Sequence, residues 1–276
     1  MGNENQLDFW FLENLVCPID KSKLTDEKNK LICEKNLHSY PIYKNIPIML
    51  IKEKIPTHSG LFQNTWNILN GKIKIDENLQ TERSEKIIDP FVQKFIGETN
   101  SHLYRHLKGK LKRYPIPSFP MNRSRGKLLL DIGCSWGRWC ISAYKSGFSP
   151  VGIDPNLECI LAAKRVAQQL GVDSKYLIAD ARFLPFRSEL FDYCYSYSVL
   201  QHFRKPDVKK VLPEVKYVLK PGGISQIQML NKYGLRSLYM QFKRIFQKSK
   251  EFETNYWSPR NYSIFLNKIL VFQKFY

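Results

Sequence analysis

Between residues 127 and 230, short apolar runs alternate with longer stretches in which apolar positions recur every three or four residues. This pattern predicts strands over residues 127–132, 150–153, 175–179, 192–198 and 224–229. It predicts helices over 137–146, 156–170 and 207–219. In the second helix Leu157, Ile160, Leu161, Val166 and Leu170 fall near one face. Lys220-Pro221-Gly222-Gly223 supplies a stop after the third. Alternating strand and helix argue for an α/β fold: a Rossmann-like, mostly parallel sheet with helices on both faces.

The first half of the chain has a different texture. Residues 7–55 read as a small ribbon-like α+β module: a helix-like piece over 7–15, short strands around 30–33 and 39–43, and a closing run Ile46-Pro47-Ile48-Met49-Leu50. Residues 56–126 read as a helical connector or cap, with its helix over 89–112. Asp89 caps that helix and Pro90 suits its first turn. Phe91, Phe95, Leu103, Leu107 and Leu111 supply an apolar face, interrupted by Gly97, and the end of the segment is basic. Pro115, Pro117 and Pro120 prevent it from continuing. The predicted domains are therefore 1–55, 56–126 and 127–276.

Composition adds limits. A chain of 276 residues, 43% hydrophobic, can bury one full α/β domain and a smaller module. No apolar run approaches the roughly 18 residues of a transmembrane helix. Met1-Gly2-Asn3-Glu4-Asn5 does not open a secretory signal, so a cytoplasmic location is expected. Cys17, Cys33, Cys134, Cys140, Cys159 and Cys194 are scattered, without a disulfide framework. The net charge of +18 suits a polyanion such as RNA or an anionic membrane surface. Lys far outnumbers Arg, however, and no long block of consecutive Lys and Arg occurs, so compositional bias is the better account of the charge.

Asp131, Asp154 and Asp180 close the first three predicted strands. In an open parallel sheet, ligands bind beyond the carboxyl ends of the strands, so the three acids share one crevice. Each one singly also reads as a helix cap or a turn residue. After Asp131 the chain runs Ile132-Gly133-Cys134-Ser135-Trp136-Gly137, a turn that exposes bare backbone to a ligand. Asp154 follows Asp131 by 23 residues, near the spacing of an acid that binds ribose hydroxyls. A carboxylate suits that task because it accepts two hydrogen bonds from a diol. Asp180 is suited to accept from the exocyclic amine of an adenine, with the N–H of Ala181 or Arg182 donating to a ring nitrogen. The absence of the G-x-G-x-x-G spacing argues against a dinucleotide-dependent dehydrogenase.

The order of these pieces resembles the class I S-adenosylmethionine-dependent methyltransferases, in particular those acting on small molecules and lipids. The resemblance covers roughly residues 127–230. It rests on Leu-Leu-Asp-Ile-Gly-Cys-Ser-Trp-Gly at 129–137, Val-Gly-Ile-Asp at 151–154, Ala-Asp-Ala at 179–181, Phe-Asp-Tyr at 191–193, Ser-Val-Leu-Gln-His at 198–202 and Val-Leu-Lys-Pro-Gly-Gly at 218–223. It implies S-adenosyl-L-methionine as cofactor. Gly133, Cys134, Ser135 and Gly137 would face its methionine part, and Asp131 would support the amino group. Asp154 would hold the ribose, Asp180 and Ala181 the adenine, and Ser196 would border the methyl-transfer end. Many members have glycine where this chain has Ser135. For an oxygen acceptor, His202 is the candidate base, and it also reads as a cap or packing residue. His102, Tyr104 and His106 would face the acceptor if the connector folds over the cleft.

The resemblance favours transfer to a small metabolite, lipid precursor or sugar. RNA methylation is the first alternative. Against it, no Asn/Asp-Pro-Pro-Tyr/Phe signature follows the fourth strand, where Ser196-Tyr197-Ser198 stands. A non-catalytic cofactor-binding scaffold is the second alternative. Leu-Val-Cys-Pro-Ile-Asp at 15–20, Leu-Ile-Cys-Glu-Lys-Asn at 31–36, Tyr-Pro-Ile at 40–42 and Ile-Pro-Ile-Met-Leu at 46–50 resemble the Trm112-like zinc ribbons. A zinc-binding ribbon would carry two Cys-x-x-Cys pairs, and here Asp20 and Asn36 stand in place of the second cysteines. Asp20 and His38 are the residues able to complete a set, but the expectation is a metal-free module that docks on the catalytic domain or on a protein partner. Ser258 and Pro259 resemble the start of a last helix. Residues 270–276 would then give a sixth strand, leaving none for a seventh and opening a sheet edge to a partner.

Overall fold

The computed structural model describes residues 7–54, 59–75, 87–98, 104–245 and 255–258. The N-terminal module comprises α1 (Phe9–Asn14), β1 (Leu24–Glu27), β2 (Lys30–Cys33), β3 (Ser39–Tyr43) and β4 (Ile46–Met49). The connector holds α2 (Ser59–Leu69) and α3 (Pro90–Phe95). The remainder alternates as β5 (Leu128–Ile132), α4 (Arg138–Lys145), β6 (Ser149–Asp154), α5 (Leu157–Gln169), β7 (Lys175–Ala179), β8 (Phe191–Ser196), α6 (Lys205–Val218), β9 (Leu219–Ile227) and α7 (Leu235–Ile245). Among the described residues no helix is long and apolar enough to cross a membrane.

One sheet carries all nine strands, in the order β1-β2-β3-β4-β7-β6-β5-β8-β9. From β4 to β9 every pairing is parallel, whereas β1 to β4 form an antiparallel meander. β5, β6 and β7 are buried along nearly their whole length, as strands covered on both faces must be. The strand order departs from β5 in both directions, through β6 and β7 on one side and β8 and β9 on the other. A crevice therefore opens at the carboxyl end of β5.

The module does not pack as a separate body. β4 adds directly to the sheet, with Ile48 opposite Ile178 and Met49 opposite Ala179. Strand alternation sends Ile46 and Ile48 into one core with α5 and the connector. Met49 enters the other core, beside Phe11, Leu31 and the α6 residues Val208, Val211 and Val215. Main-chain bonds from Val16 to Pro185 and from Arg187 to Asn14 pin the module to the segment after β7. Lys21 Nζ reinforces them, donating to the Leu184 carbonyl at 2.9 Å and to Glu214 of α6 at 2.6 Å.

Local chemistry explains most boundaries. Asn156 caps α5 by accepting from the N–H groups of Glu158 and Cys159. Asp89 caps α3 by accepting from Phe91 and Val92. Three expectations need correction. The connector is not one helix over 89–112: α3 gives way to a 3₁₀ turn at Ile96–Glu98, and another 3₁₀ turn spans Arg105–Leu107. Residues 93 and 109 would be about 24 Å apart in one helix, yet Gly109 N–H donates to the Gln93 carbonyl at 3.1 Å. The Gln93 side chain holds both main-chain groups of Leu111, and Gly97 lets Lys108 pack close, so the segment doubles back. Second, β9 begins at Leu219 rather than 224, with the Pro-Gly-Gly segment accommodated as an irregularity opposite Phe191–Tyr193. Third, β1 extends the module, which was read as having only two short strands before its closing run. The helix predicted from Ser258 and the strand over 270–276 lie outside the described residues, apart from Ser258 itself.

Candidate functional site

The carboxyl ends of β5 and β6 meet at the glycine turn. Gly133 and Cys134 both donate main-chain N–H groups to the Ile153 carbonyl, at 2.8 and 3.0 Å. Ser135 N–H donates to Asp154 Oδ2 at 3.0 Å, and Asp154 Oδ1 accepts from Asn156 N–H at 3.0 Å. One carboxylate thus ties the turn to the start of α5. About four acceptor directions belong to a carboxylate, so Asp154 keeps two for a ligand. Gly133 (φ 76) and Gly137 (φ 83) are left-handed. Ser135 is left-handed too, at φ 51, a backbone that glycine would adopt without strain.

Asp131 ends β5 with 1% exposure, opposite Gly152 of β6 and Tyr195 of β8. Burial pushes its carboxyl up to about 7, against the opposing pull of the Cys140 thiol, which donates at 3.4 Å, and the Arg138 charge. The Asp154 charge adds to the rise. Burial likewise pushes Asp154 up to about 6, while its two main-chain donors lower it.

The sign of the resulting pH dependence follows from Asp131. The folded chain keeps this proton up to about pH 7, whereas the unfolded chain loses it near 3.8. Between those values folding is linked to proton uptake, so this group costs stability progressively as the pH rises. Asp131→Asn should therefore gain stability relative to the wild type between pH 4 and 7, by up to about 1.4 kcal/mol per pH unit. Urea unfolding at several pH values in that range measures the difference, and a pH-independent difference would contradict the assignment.

The remaining candidates lie at the neighbouring strand ends. Ser196 is fully buried at the end of β8, and its hydroxyl donates to the Ile132 carbonyl at 3.1 Å. It braces β8 against β5. Past it, Val199 lies over Gly133. His202 follows in a 3₁₀ turn at Leu200–His202, half-buried, with Nε2 3.4 Å from the Gln201 amide nitrogen. Asp180 closes β7, and Ala181 behind it is buried. The Asp180 carboxylate already accepts from the Arg182 N–H at 2.9 Å and from the Arg182 guanidinium at 2.6 to 3.2 Å. Tyr104 of the connector lies near Arg138, while His106 is exposed and His102 lies outside the described residues.

The sequence reading missed the side chains of two arginines; Arg182 entered it only through its N–H, which donates to Asp180 instead of facing a ligand. Arg182 is buried and joins Asp180 to Asp207 and to the Lys54 carbonyl, linking three segments. Its position two residues after Asp180 was the available signal. Arg138 follows the glycine turn, buried, with its guanidinium over the rings of Trp139 and Tyr197 at 5.6 and 5.7 Å. Trp139, Tyr195, Tyr197 and Phe119 form one aromatic cluster at the end of β8.

Residues 129–223 match the family model of the methyltransferase domain, and residues 8–44 match that of Trm112p-like proteins. The chain is 29% identical over 148 residues to a ubiquinone biosynthesis O-methyltransferase of Brucella anthropi, covering 52% of this chain and 58% of that one. It is 33% identical over 114 residues to a sterol 24-C-methyltransferase of Pneumocystis carinii, covering 39% of this chain and 30% of that one. A solved SAM-dependent methyltransferase from Methanosarcina mazei is 21% identical, with a TM-score of 0.48, over 53% of this chain and 80% of that one. The chain thus spans about half the length of curated relatives it matches.

Proposed function

We propose that this chain, with a methyltransferase domain at residues 129–223 and a Trm112p-like segment at 8–44, transfers a methyl group from S-adenosylmethionine to a small-molecule acceptor. The observation that carries the reading is Asp154: a buried carboxylate at the strand-order switch, fixed by two main-chain N–H groups and retaining two acceptor directions for a ribose diol.

The other residues fit the same cofactor. Asp131 carries the charge that suits an ammonium group, and its raised pKa leaves it largely neutral until a cation offsets the cost of burial. The glycine turn presents main chain to the methionine part. Asp180, with three of about four acceptor directions taken by Arg182, keeps one for the adenine amine, and the Ala181 N–H suits a ring nitrogen. Bound there, S-adenosylmethionine supplies an electrophilic methyl group on a sulfonium. What the chain must add is alignment of the acceptor for in-line attack, which is worth up to about 7–11 kcal/mol in favourable cases. The aromatic cluster around Trp139, Tyr195 and Tyr197 supports a ring-bearing or otherwise apolar small molecule. The relatives act through different atoms by their names, an oxygen in one and a carbon in another. His202 is the residue we assign as base for an oxygen acceptor. Six free cysteines, all buried, accord with a cytoplasmic setting.

The test is methyl transfer from labelled S-adenosylmethionine to a whole-cell extract, afterwards separated into low-mass and RNA fractions. A labelled low-mass product is expected. Label recovered in RNA would redirect the proposal to the nucleic-acid alternative, and absence of S-adenosylmethionine binding by calorimetry at high protein concentration would overturn it.

A further inference from the structure

Two turns of the N-terminal module share one hydrogen-bond pattern. In the first, Lys21 N–H donates to the Cys17 carbonyl and Cys17 N–H to the Ser22 carbonyl, both at 2.9 Å. In the second, Leu37 N–H donates to the Cys33 carbonyl at 3.0 Å and Cys33 N–H to the His38 carbonyl at 2.8 Å. Lys21 (φ 62) and Leu37 (φ 56) are the matching left-handed residues. The first turn presents Cys17 and Asp20. The second presents Cys33 and, just beyond its left-handed residue, His38.

These four side chains converge. One ligand atom from each lies within 4.8 Å of every other. Cys17 and Cys33 are buried, and Asp20 and His38 are half-buried. Cys17 Sγ is 3.5 Å from His38 Nδ1, and Cys33 Sγ is 3.6 Å from each Asp20 oxygen. Around a tetrahedral zinc ion, with bonds of about 2.3 Å to sulfur and 2.0 Å to nitrogen or oxygen, the edge from sulfur to a lighter ligand is about 3.5 Å. Two edges of the set already have that length, and contraction of the others by at most about 1.5 Å would complete the tetrahedron.

We propose that Cys17, Asp20, Cys33 and His38 bind one zinc-class divalent ion. Two thiolates, a carboxylate and an imidazole make a donor set too soft for magnesium or calcium and suited to zinc. The supporting contacts are in place: the Asn36 amide donates to Asp20 Oδ2 at 2.5 Å, and the Tyr40 hydroxyl lies 3.2 Å from Cys17 Sγ. The sequence pattern pointed to a metal-free module because the fourth position of the ribbon pattern is Asn36. The fold instead turns His38 inward and leaves Asn36 to orient Asp20. A bound ion would also set the first turn, from which Lys21 reaches the Leu184 carbonyl and Glu214, so it would stiffen the segment that follows Asp180.

The full-length chain, purified with zinc and freed of loose metal, is expected to hold about one zinc per molecule by elemental analysis. Cobalt(II) in its place should give the visible bands of a tetrahedral thiolate site. His38→Ala should weaken cobalt binding about 100-fold or more, whereas Asn36→Ala, which loses only the contact that orients Asp20, should weaken it about 10-fold. A chelator should lower the melting temperature of the wild type and leave that of His38→Ala nearly unchanged. This last readout needs no substitution of the buried Cys17 or Cys33, which would also remove core packing from the module. Folded wild-type chain without zinc and without cobalt bands would overturn the proposal. Equal cobalt affinity in the wild type and His38→Ala would overturn the ligand set.

Discussion

Asp154→Ala should weaken S-adenosylmethionine binding by about 100-fold, whereas His202→Ala should leave binding unchanged and lower turnover. The first figure corresponds to about 3 kcal/mol, the worth of charge-assisted hydrogen bonds to a diol in a buried site. The same substitution strips the N–H groups of Ser135 and Asn156 of their acceptor. It should therefore also reduce stability, by about 1–3 kcal/mol for a buried unsatisfied donor. Calorimetry well below the melting temperature separates the two effects. Asp154→Asn sharpens the comparison, since its amide oxygen can still accept one of the two main-chain bonds. Normal binding by Asp154→Ala would show that the ribose is held elsewhere. Weakened binding in His202→Ala would move that residue from the acceptor to the cofactor.

Gly133→Ala should be the most damaging single methyl group in the chain. A Cβ there would stand 2.3 and 2.7 Å from the two methyl groups of Val199, on a backbone at φ 76. Overpacking and a left-handed non-glycine residue each cost about 1–3 kcal/mol. A loss of about 3 kcal/mol is expected, together with reduced cofactor affinity as the turn shifts. Val199→Ala removes both methyl groups and leaves only a contact at 3.0 Å. The double variant should accordingly recover about 1–2 kcal/mol relative to strict additivity. Chemical denaturation of the four chains measures this coupling, and strict additivity would mean that the glycine is required only for its dihedral angle.

The sequence pattern was most legible where the sheet is buried on both faces. β5, β6 and β7 are short apolar runs closed by Asp131, Asp154 and Asp180, and periodicity and end residues locate them together. The pattern faded where long-range contacts decide. β1 is polar, Leu-Thr-Asp-Glu, and it exists because β2 offers it a partner. The connector reads as one helix until Gln93 is seen to hold Gly109 and Leu111. For the site, spacing indicated the acids and the turn but not what they touch. Asp180 is engaged by Arg182, and the Ser196 hydroxyl is spent on β5. His38 was weighed only as a remote completion of a broken pattern, because its approach to Cys17 depends on the path of the chain through Leu37.

The insertion of β4 beside β7 has a consequence for synthesis of the chain. Ile48 pairs with Ile178, 130 residues downstream. At about 5–20 residues per second, the apolar strand must wait roughly 7–26 s on the ribosome before its neighbour exists. During that interval β4 has only β3 as a partner, Ile46 and Ile48 lack the core they share with α5, and an unpaired apolar edge invites association with other chains. The N-terminal module is thus made early and completed late, its folding held back until the parallel sheet exists.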